Sequence, residues 1–263
     1  MTGGTSRLAI CRDGIALAVG TLSVLPVRGP RTVDTPRAAV AMSVAPLAVL
    51  PMAMLLAIVA IAFDRVGLPA LVSAALVVAT GVLGTRAIHV DGLADTVDGL
   101  AASYDRDRAL TVMRTGDVGP SGTAAVVLVL GVQVFATADV LAQQHGWIAV
   151  AVAWCCGRAA LALLCVRGVV AARPDGLGAA VAGSVPRAVL VAVLVVSAAA
   201  MSGATLLLDR PWWHGALGMV AAAVVVGALV RRCLARLGGI TGDVLGAGVE
   251  TCTAVLLVGL SAS

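Results

Sequence analysis

Residues 89–99 read HVDGLADTVDG and set Asp91, Asp95 and Asp98 at spacing i, i+4, i+7. On a helix turning about 100° per residue, Asp95 lies about +40° and Asp98 about −20° from Asp91. Three carboxylates therefore share one narrow wedge. Anions that close repel one another, and at a membrane boundary the repulsion is costly unless a cation neutralises it. A donor set of oxygens alone favours Mg²⁺ or Mn²⁺ over zinc. The bland alternative, a solvated polar helix end, would be expected to mix charge signs.

A second constellation lies at residues 238–250, GGITGDVLGAGVE. Asp243 and Glu250 are seven apart and share a helical face. Glu250 is the only Glu in the chain and falls inside the last apolar run, where an acid is a functional candidate by default. The glycines there would let helices or a ligand approach closely. Between the clusters, TGDVGPSG (115–122) reads as a turn leading into an apolar helix. Its backbone N–H groups, those of Gly119, Ser121 and Gly122 among them, could meet a phosphate at the helix start. Arg114 could pair with that phosphate. Residues 105–108, DRDR, read as a solvated helix start. Arg158 sits within an apolar stretch and needs a partner, a phosphate or a carboxylate, unless it snorkels. His89 abuts the acids, either as a phosphate donor or as a plain interfacial histidine. Asp139, His145 and His214 are read as structural or unassigned.

The elements that must position these groups are transmembrane helices. The chain has 263 residues, 60% hydrophobic and 12% charged, with mean hydropathy +1.04. Soluble domains are about 45–50% apolar and about 25% charged. The composition excludes an ordinary soluble enzyme, a disordered chain and a collagen-like fibre. Apolar runs without alternation argue against a transmembrane barrel. The expected fold is all-α: one polytopic membrane domain over 1–263. Seven spans are expected near 38–63, 66–88, 119–141, 146–166, 188–208, 212–230 and 244–261. A shorter apolar piece, 14–27, reads as an interfacial or re-entrant helix retained in the mature chain. Pro46 and Pro51 should kink the first span. Arginines in successive connecting segments count 3, 1, 3, 0, 3, 1, 3, which places the three-Arg segments and both acid clusters in the cytoplasm.

All 18 cations are Arg, and the net charge is +4, which suits anionic headgroups. With one Tyr, two Phe and four Trp, there is no aromatic platform for bases, and no nucleic-acid partner is expected. The six cysteines lack metal-ligand spacing and read as small apolar membrane residues. No Walker A pattern is present. The residues alone thus describe a membrane-embedded, Mg²⁺-dependent phosphotransferase acting on a diphosphate-linked, nucleotide-activated donor.

HVDGLADTVDG closely resembles the hallmark of the cobalamin-5′-phosphate synthase family, H-x-D-G-L-A-D-T-x-D-G. TLSVLPV (21–27), RDRALTVMR (106–114) and GGITGDVLGAGVE (238–250) are similar to that family's T-x-x-x-L-P-V, R-D-R-x-x-x-x-M-R and G-G-x-T-G-D-x-L-G-A-x-x-E elements. The matches run in order from 21 to 250. One departure stands out: where the family often reads D-S-R-x-G-x-x-G after M-R, this chain has Thr115-Gly116-Asp117-Val118-Gly119-Pro120-Ser121-Gly122. The glycines hold. Either Asp117 substitutes for the displaced acid, or that acid is dispensable.

The resemblance implies a multi-pass inner-membrane enzyme of bacteria with its site facing the cytoplasm. Its substrates would be adenosylcobinamide-GDP and α-ribazole or α-ribazole 5′-phosphate, with Mg²⁺ required and GMP released. Asp91, Asp95, Asp98, Asp243 and Glu250 are then the expected metal ligands. Asp98, with Asp95 beside it, is the expected catalytic acid–base residue. Expected substrate contacts are His89, Thr96, Arg114 and Arg158, together with Gly119, Ser121, Gly122 and Thr241. The bilayer is the other partner, and homo-oligomerisation is left open. Two rival readings fit the sequence less well. A CDP-alcohol phosphotransferase would read D-G-x-x-A-R, but Ala94 is followed by Asp95 here. A cation transporter would need midplane acids and inverted repeats.

Overall fold

The computed structural model describes residues 6–262. Thirteen helices follow one another: α1 Arg7–Leu22, α2 Thr35–Ala48, α3 Leu50–Arg65, α4 Ala70–Gly84, α5 Ile88–Ala102, α6 Arg106–Val112, α7 Pro120–Leu141, α8 Gly146–Gly157, α9 Ala159–Leu164, α10 Gly176–Val181, α11 Arg187–Leu207, α12 Trp213–Leu237 and α13 Gly242–Ser261. Among the described residues there is no strand, only isolated bridges such as Ala171 with Ile240. The fold is an all-helical polytopic membrane bundle. Among the described residues, six helical stretches are long and apolar enough to cross a membrane, 35–65, 120–141, 146–164, 187–207, 213–237 and 242–261, and there are seven if the bent pair α4 and α5 is one span.

The first stretch joins α2 and α3 through Val49. Pro46 lies within α2 and Pro51 opens α3, so the interruption falls where missing N–H donors allow it. The expected span 66–88 is different. Its helix, α4, stops at Gly84, and Arg86 and Ala87 take left-handed backbone angles, both with φ +57°. The chain then turns by 88° into α5. Residues 89–102, expected in a polar connecting segment, lie in this helix, which packs along α13. The expected 14–27 piece is α1, which begins earlier and lies along α2. Gly14 permits that contact, since a Cβ there would sit 2.6 Å from the Val40 side chain.

The central column is α13, against which α5, α7, α8, α9 and α12 all pack. It is buried over nearly its whole length, as an apolar helix inside a bundle must be. The outward faces of α7, α11 and α12 carry Val127, Leu128, Val195, Val196, Val220 and Val224, all largely exposed, as suits contact with lipid. One end of the bundle is polar and tied by arginines to backbone carbonyls. Residues 105–108 form the exposed start of α6, as expected. Arg106 in addition donates from Nε to Leu237 O at 2.8 Å and from Nη2 to Ala172 O at 2.7 Å. It thereby satisfies the terminal carbonyl of α12 next to left-handed Gly238. Arg236 donates to Ser103 O and stacks on Tyr104. At the other end Arg210 donates to Leu260 O and Ala262 O, tying down the end of α13.

Candidate active site

The site is built where α5 crosses the start of α13. A Cβ on Gly92 would sit 2.6 Å from Asp243 O, and one on Gly246 would sit 2.9 Å from the His89 backbone. These two glycines let the backbones touch, which sets Asp91 and Asp95 beside Asp243. Asp95 feels the negative charges of Asp91, Asp243 and Asp98 and the opposing charge of Arg173. Thr241 begins α13: its Oγ1 accepts from Val244 N at 3.4 Å and donates to Asp243 Oδ2 at 3.1 Å. Because Gly92 meets backbone, Gly92→Ala must push α5 away from α13. The expected result is a loss of about 1–3 kcal/mol of stability, read as earlier thermal unfolding in detergent. Gly131→Ala, at a glycine with open space around it, is the control and should change little.

The five carboxylates expected as metal ligands do not converge on one point. Among the described residues no group of three or more His, Cys, Asp or Glu side chains could hold a metal ion by itself. Asp98 is occupied: its Oδ2 accepts from Gly119 N at 2.7 Å and its Oδ1 from Gly122 N at 2.8 Å. Gly119 is the cap residue of α7 and has no side chain to satisfy the first amides, so Asp98 caps α7 from a neighbouring helix. A Cβ on Gly119 or Gly122 would fall within 2.6 Å of that carboxylate, which is why both positions are glycine. The N–H groups expected to meet a phosphate at this turn are therefore partly spent on Asp98. Ser121 lies in the same first turn, and Asp117 is exposed beside it.

Glu250 stands two turns along α13 from Asp243, about 10 Å at 1.5 Å per residue. It belongs to a separate buried cluster. Its Oε2 accepts from Gln133 Nε2 at 2.8 Å, and its Oε1 is 3.9 Å from His89 Nδ1. Arg158 is 1% exposed. Its Nη1 donates to Trp154 O at 2.8 Å, and its guanidinium lies 3.4 Å over the Trp154 ring. Burial in the bundle keeps it from a free phosphate. Thr96 is fully buried with its hydroxyl unpartnered.

Asp91 and Asp243 present carboxylate oxygens to open space, with Asp95 near both. Mg²⁺ is commonly held by one or two carboxylates with substrate phosphates and water completing the shell, and that donor chemistry fits these residues. Two cavities meet here. One, of about 220 Å³, is lined by Met42, His89, Asp91, Leu161, Asp243 and Leu245 among others. The second, of about 330 Å³, is lined by Arg114, Arg173, Asp175, Thr241 and Asp243 among others. Arg173 was not singled out in the sequence, where it is one of three loop arginines. Burial and then the nearby Arg114 charge lower its pKa from the usual value. Its Nη2 donates to Leu110 O at 2.7 Å, and Arg114 Nη2 pairs with Asp175 at 3.0 Å. Two guanidiniums held close together, against their mutual repulsion, form a place for an anion. A larger cavity of about 500 Å³, between Arg65 and His145, contains none of the motif residues.

The family model for cobalamin-5-phosphate synthase matches residues 14–261. The chain belongs to the cobalamin-5-phosphate synthase family. It is 45% identical over 251 residues to an adenosylcobinamide-GDP ribazoletransferase of Nocardioides sp., covering 95% of this chain and 99% of that one. It is 40% identical to the protein of the same name from Frankia casuarinae, over 90% of each chain. With that of Corynebacterium efficiens it shares 32%, over 94% and 90% of the two chains. No solved structure matches. As a member of this family the chain is a transferase. The motif residues of α5, the turn before α7 and the start of α13 all lie within the matched stretch.

Proposed function

We propose that the chain transfers the adenosylcobinamide phosphate group of adenosylcobinamide-GDP to a ribose hydroxyl of α-ribazole, or of α-ribazole 5′-phosphate, and releases GMP. The relatives' printed name, adenosylcobinamide-GDP ribazoletransferase, supports the substrates. The observation that carries the reading is Asp243 lining two adjoining cavities, one shared with Asp91 and the other with Arg114 and Arg173. Acids facing a diphosphate need a cation between them, and arginines facing it do not.

In the reaction the ribose oxygen bonds to the phosphorus next to cobinamide, and that phosphorus loses its bond to the oxygen of GMP. The hydroxyl proton passes to a carboxylate. Asp243, which lines both cavities, is placed to take it, whereas both Asp98 oxygens already accept amide hydrogens. Asp91 and Asp95 would hold Mg²⁺, which when bound would neutralise diphosphate charge and ease departure of GMP. Arg114 and Arg173 orient the phosphate oxygens. The site is proposed to face the cytoplasm of a bacterial inner membrane, where a water-soluble nucleotide donor reaches it.

Donor choice tests this reading. Purified protein in detergent, given adenosylcobinamide-GDP and α-ribazole 5′-phosphate, should release GMP. Given a CDP-activated lipid and its alcohol acceptor, it should release no CMP. CMP without GMP would overturn the reading in favour of a phospholipid-making enzyme.

A further inference from the structure

The two cavities that meet at Asp243 differ in kind. The smaller is walled largely by the apolar Leu22, Met42, Ile88, Leu161 and Leu245, and its polar side chains are Thr21, His89, Asp91 and Asp243. His89 is one of them: it is 4% exposed, and neither ring nitrogen has a hydrogen-bond partner. Glu250 is the nearest acid, at 3.9 Å, beyond hydrogen-bond reach. A buried imidazole with both nitrogens unsatisfied is costly, and a ligand entering this cavity can satisfy it. The larger cavity carries Arg114 and Arg173 and suits anions.

We propose that the apolar cavity is the subsite for the flat heteroaromatic base of the acceptor, with His89 making its polar contact. This rests on the transferase reading above and adds which part of which substrate lies where. Three physical points select the occupant. At about 220 Å³ the cavity is smaller than the ~300–1,000 Å³ typical of sites for drug-sized ligands, so it takes a bicyclic ring and excludes a corrinoid. It holds no arginine, so a diphosphate finds its cationic partners in the other cavity. A benzimidazole presents mostly apolar faces and edge, which the aliphatic part of the wall matches. With the base seated there, its ribose falls at the junction of the cavities, beside Asp91 and Asp243.

Ile88 lines the cavity and is 40% exposed, so bulk can be added there without entering the packed core. The test is steady-state GMP release with each substrate varied in turn. Ile88→Trp should raise the acceptor KM about 10-fold or more, a tenfold change being about 1.4 kcal/mol, and leave the donor KM within about two-fold. His89→Phe keeps the ring shape and removes both nitrogens. It should also raise the acceptor KM selectively, with thermal stability equal to or above that of the unsubstituted protein, because an unsatisfied buried group is gone. A purely structural His89 would instead lower stability without splitting the two KM values. If Ile88→Trp does not accumulate folded, Ile88→Phe and His89→Phe carry the same comparison. A raised donor KM with an unchanged acceptor KM would place guanine in the cavity and overturn the proposal. Two unchanged KM values would also overturn it. Failure of the unsubstituted protein to release GMP would overturn the transferase reading itself, a distinguishable outcome.

Discussion

Asp95→Asn is expected to lower GMP release by about 10²-fold or more while leaving the protein at least as stable. Both halves follow from the same electrostatics. Asp95 is surrounded by the charges of Asp91, Asp243 and Asp98, with only Arg173 opposing. Without a bound cation these like charges strain the α5–α13 crossing. Replacing one by an amide of the same shape relieves repulsion of about 0.5 kcal/mol, by analogy with like-charge pairs on helices. In the proposed reaction the same charge would help hold Mg²⁺ against the diphosphate. Losing one such preorganised group typically costs about 10²–10³ in rate. Thermal unfolding and turnover measured on one preparation should therefore move in opposite directions. A variant that loses stability and activity together would show that Asp95 serves the fold, and one with unchanged turnover would remove it from the site.

The second large effect is expected at Asp98, in stability before rate. Asp98→Ala leaves the amides of Gly119 and Gly122 without acceptors at the start of α7. Loss of a cap costs about 0.5–2 kcal/mol, and a buried donor left unsatisfied about 1–3 kcal/mol. A total of about 3 kcal/mol corresponds to about 5–10 °C in the unfolding temperature. Asp98→Asn keeps one carbonyl oxygen and should retain about half of that stabilisation. Measured below its unfolding temperature, Asp98→Asn should lose less than the about 10²–10⁴-fold that removal of a general base brings. Full stability with a loss of that size would return Asp98 to the catalytic role its sequence position suggests.

Asp98 also shows where sequence reasoning stops. Its spacing with Asp91 and Asp95 correctly sets three acids on one helix, α5. Helical spacing fixes direction, not partners, and the arrival of α7 at Asp98 is a tertiary event between residues 21 and 24 apart. Asp243 and Glu250 repeat the lesson along the axis: a common face over two turns puts one acid at the crossing and the other in a buried cluster with Gln133. Most spans were legible because hydropathy suffices for them. The expected 119–141, 188–208 and 244–261 correspond to α7, α11 and α13. The run 66–88 gives the apolar helix α4, but hydropathy carries no sign of the left-handed turn at Arg86 and Ala87 that bends the chain into α5. Arg173 was hidden for a related reason: a loop arginine gains its meaning only when the loop folds back beside Asp243.

The most direct test of the central claim is GMP release by the purified protein in detergent, with adenosylcobinamide-GDP as donor and α-ribazole 5′-phosphate as acceptor. Release that requires acceptor and Mg²⁺, stops with EDTA and is lost in Asp91→Asn is the predicted result. Folded protein that releases no GMP, or releases it equally with EDTA and without intact Asp91, would contradict a metal-assisted transfer at the α5–α13 crossing.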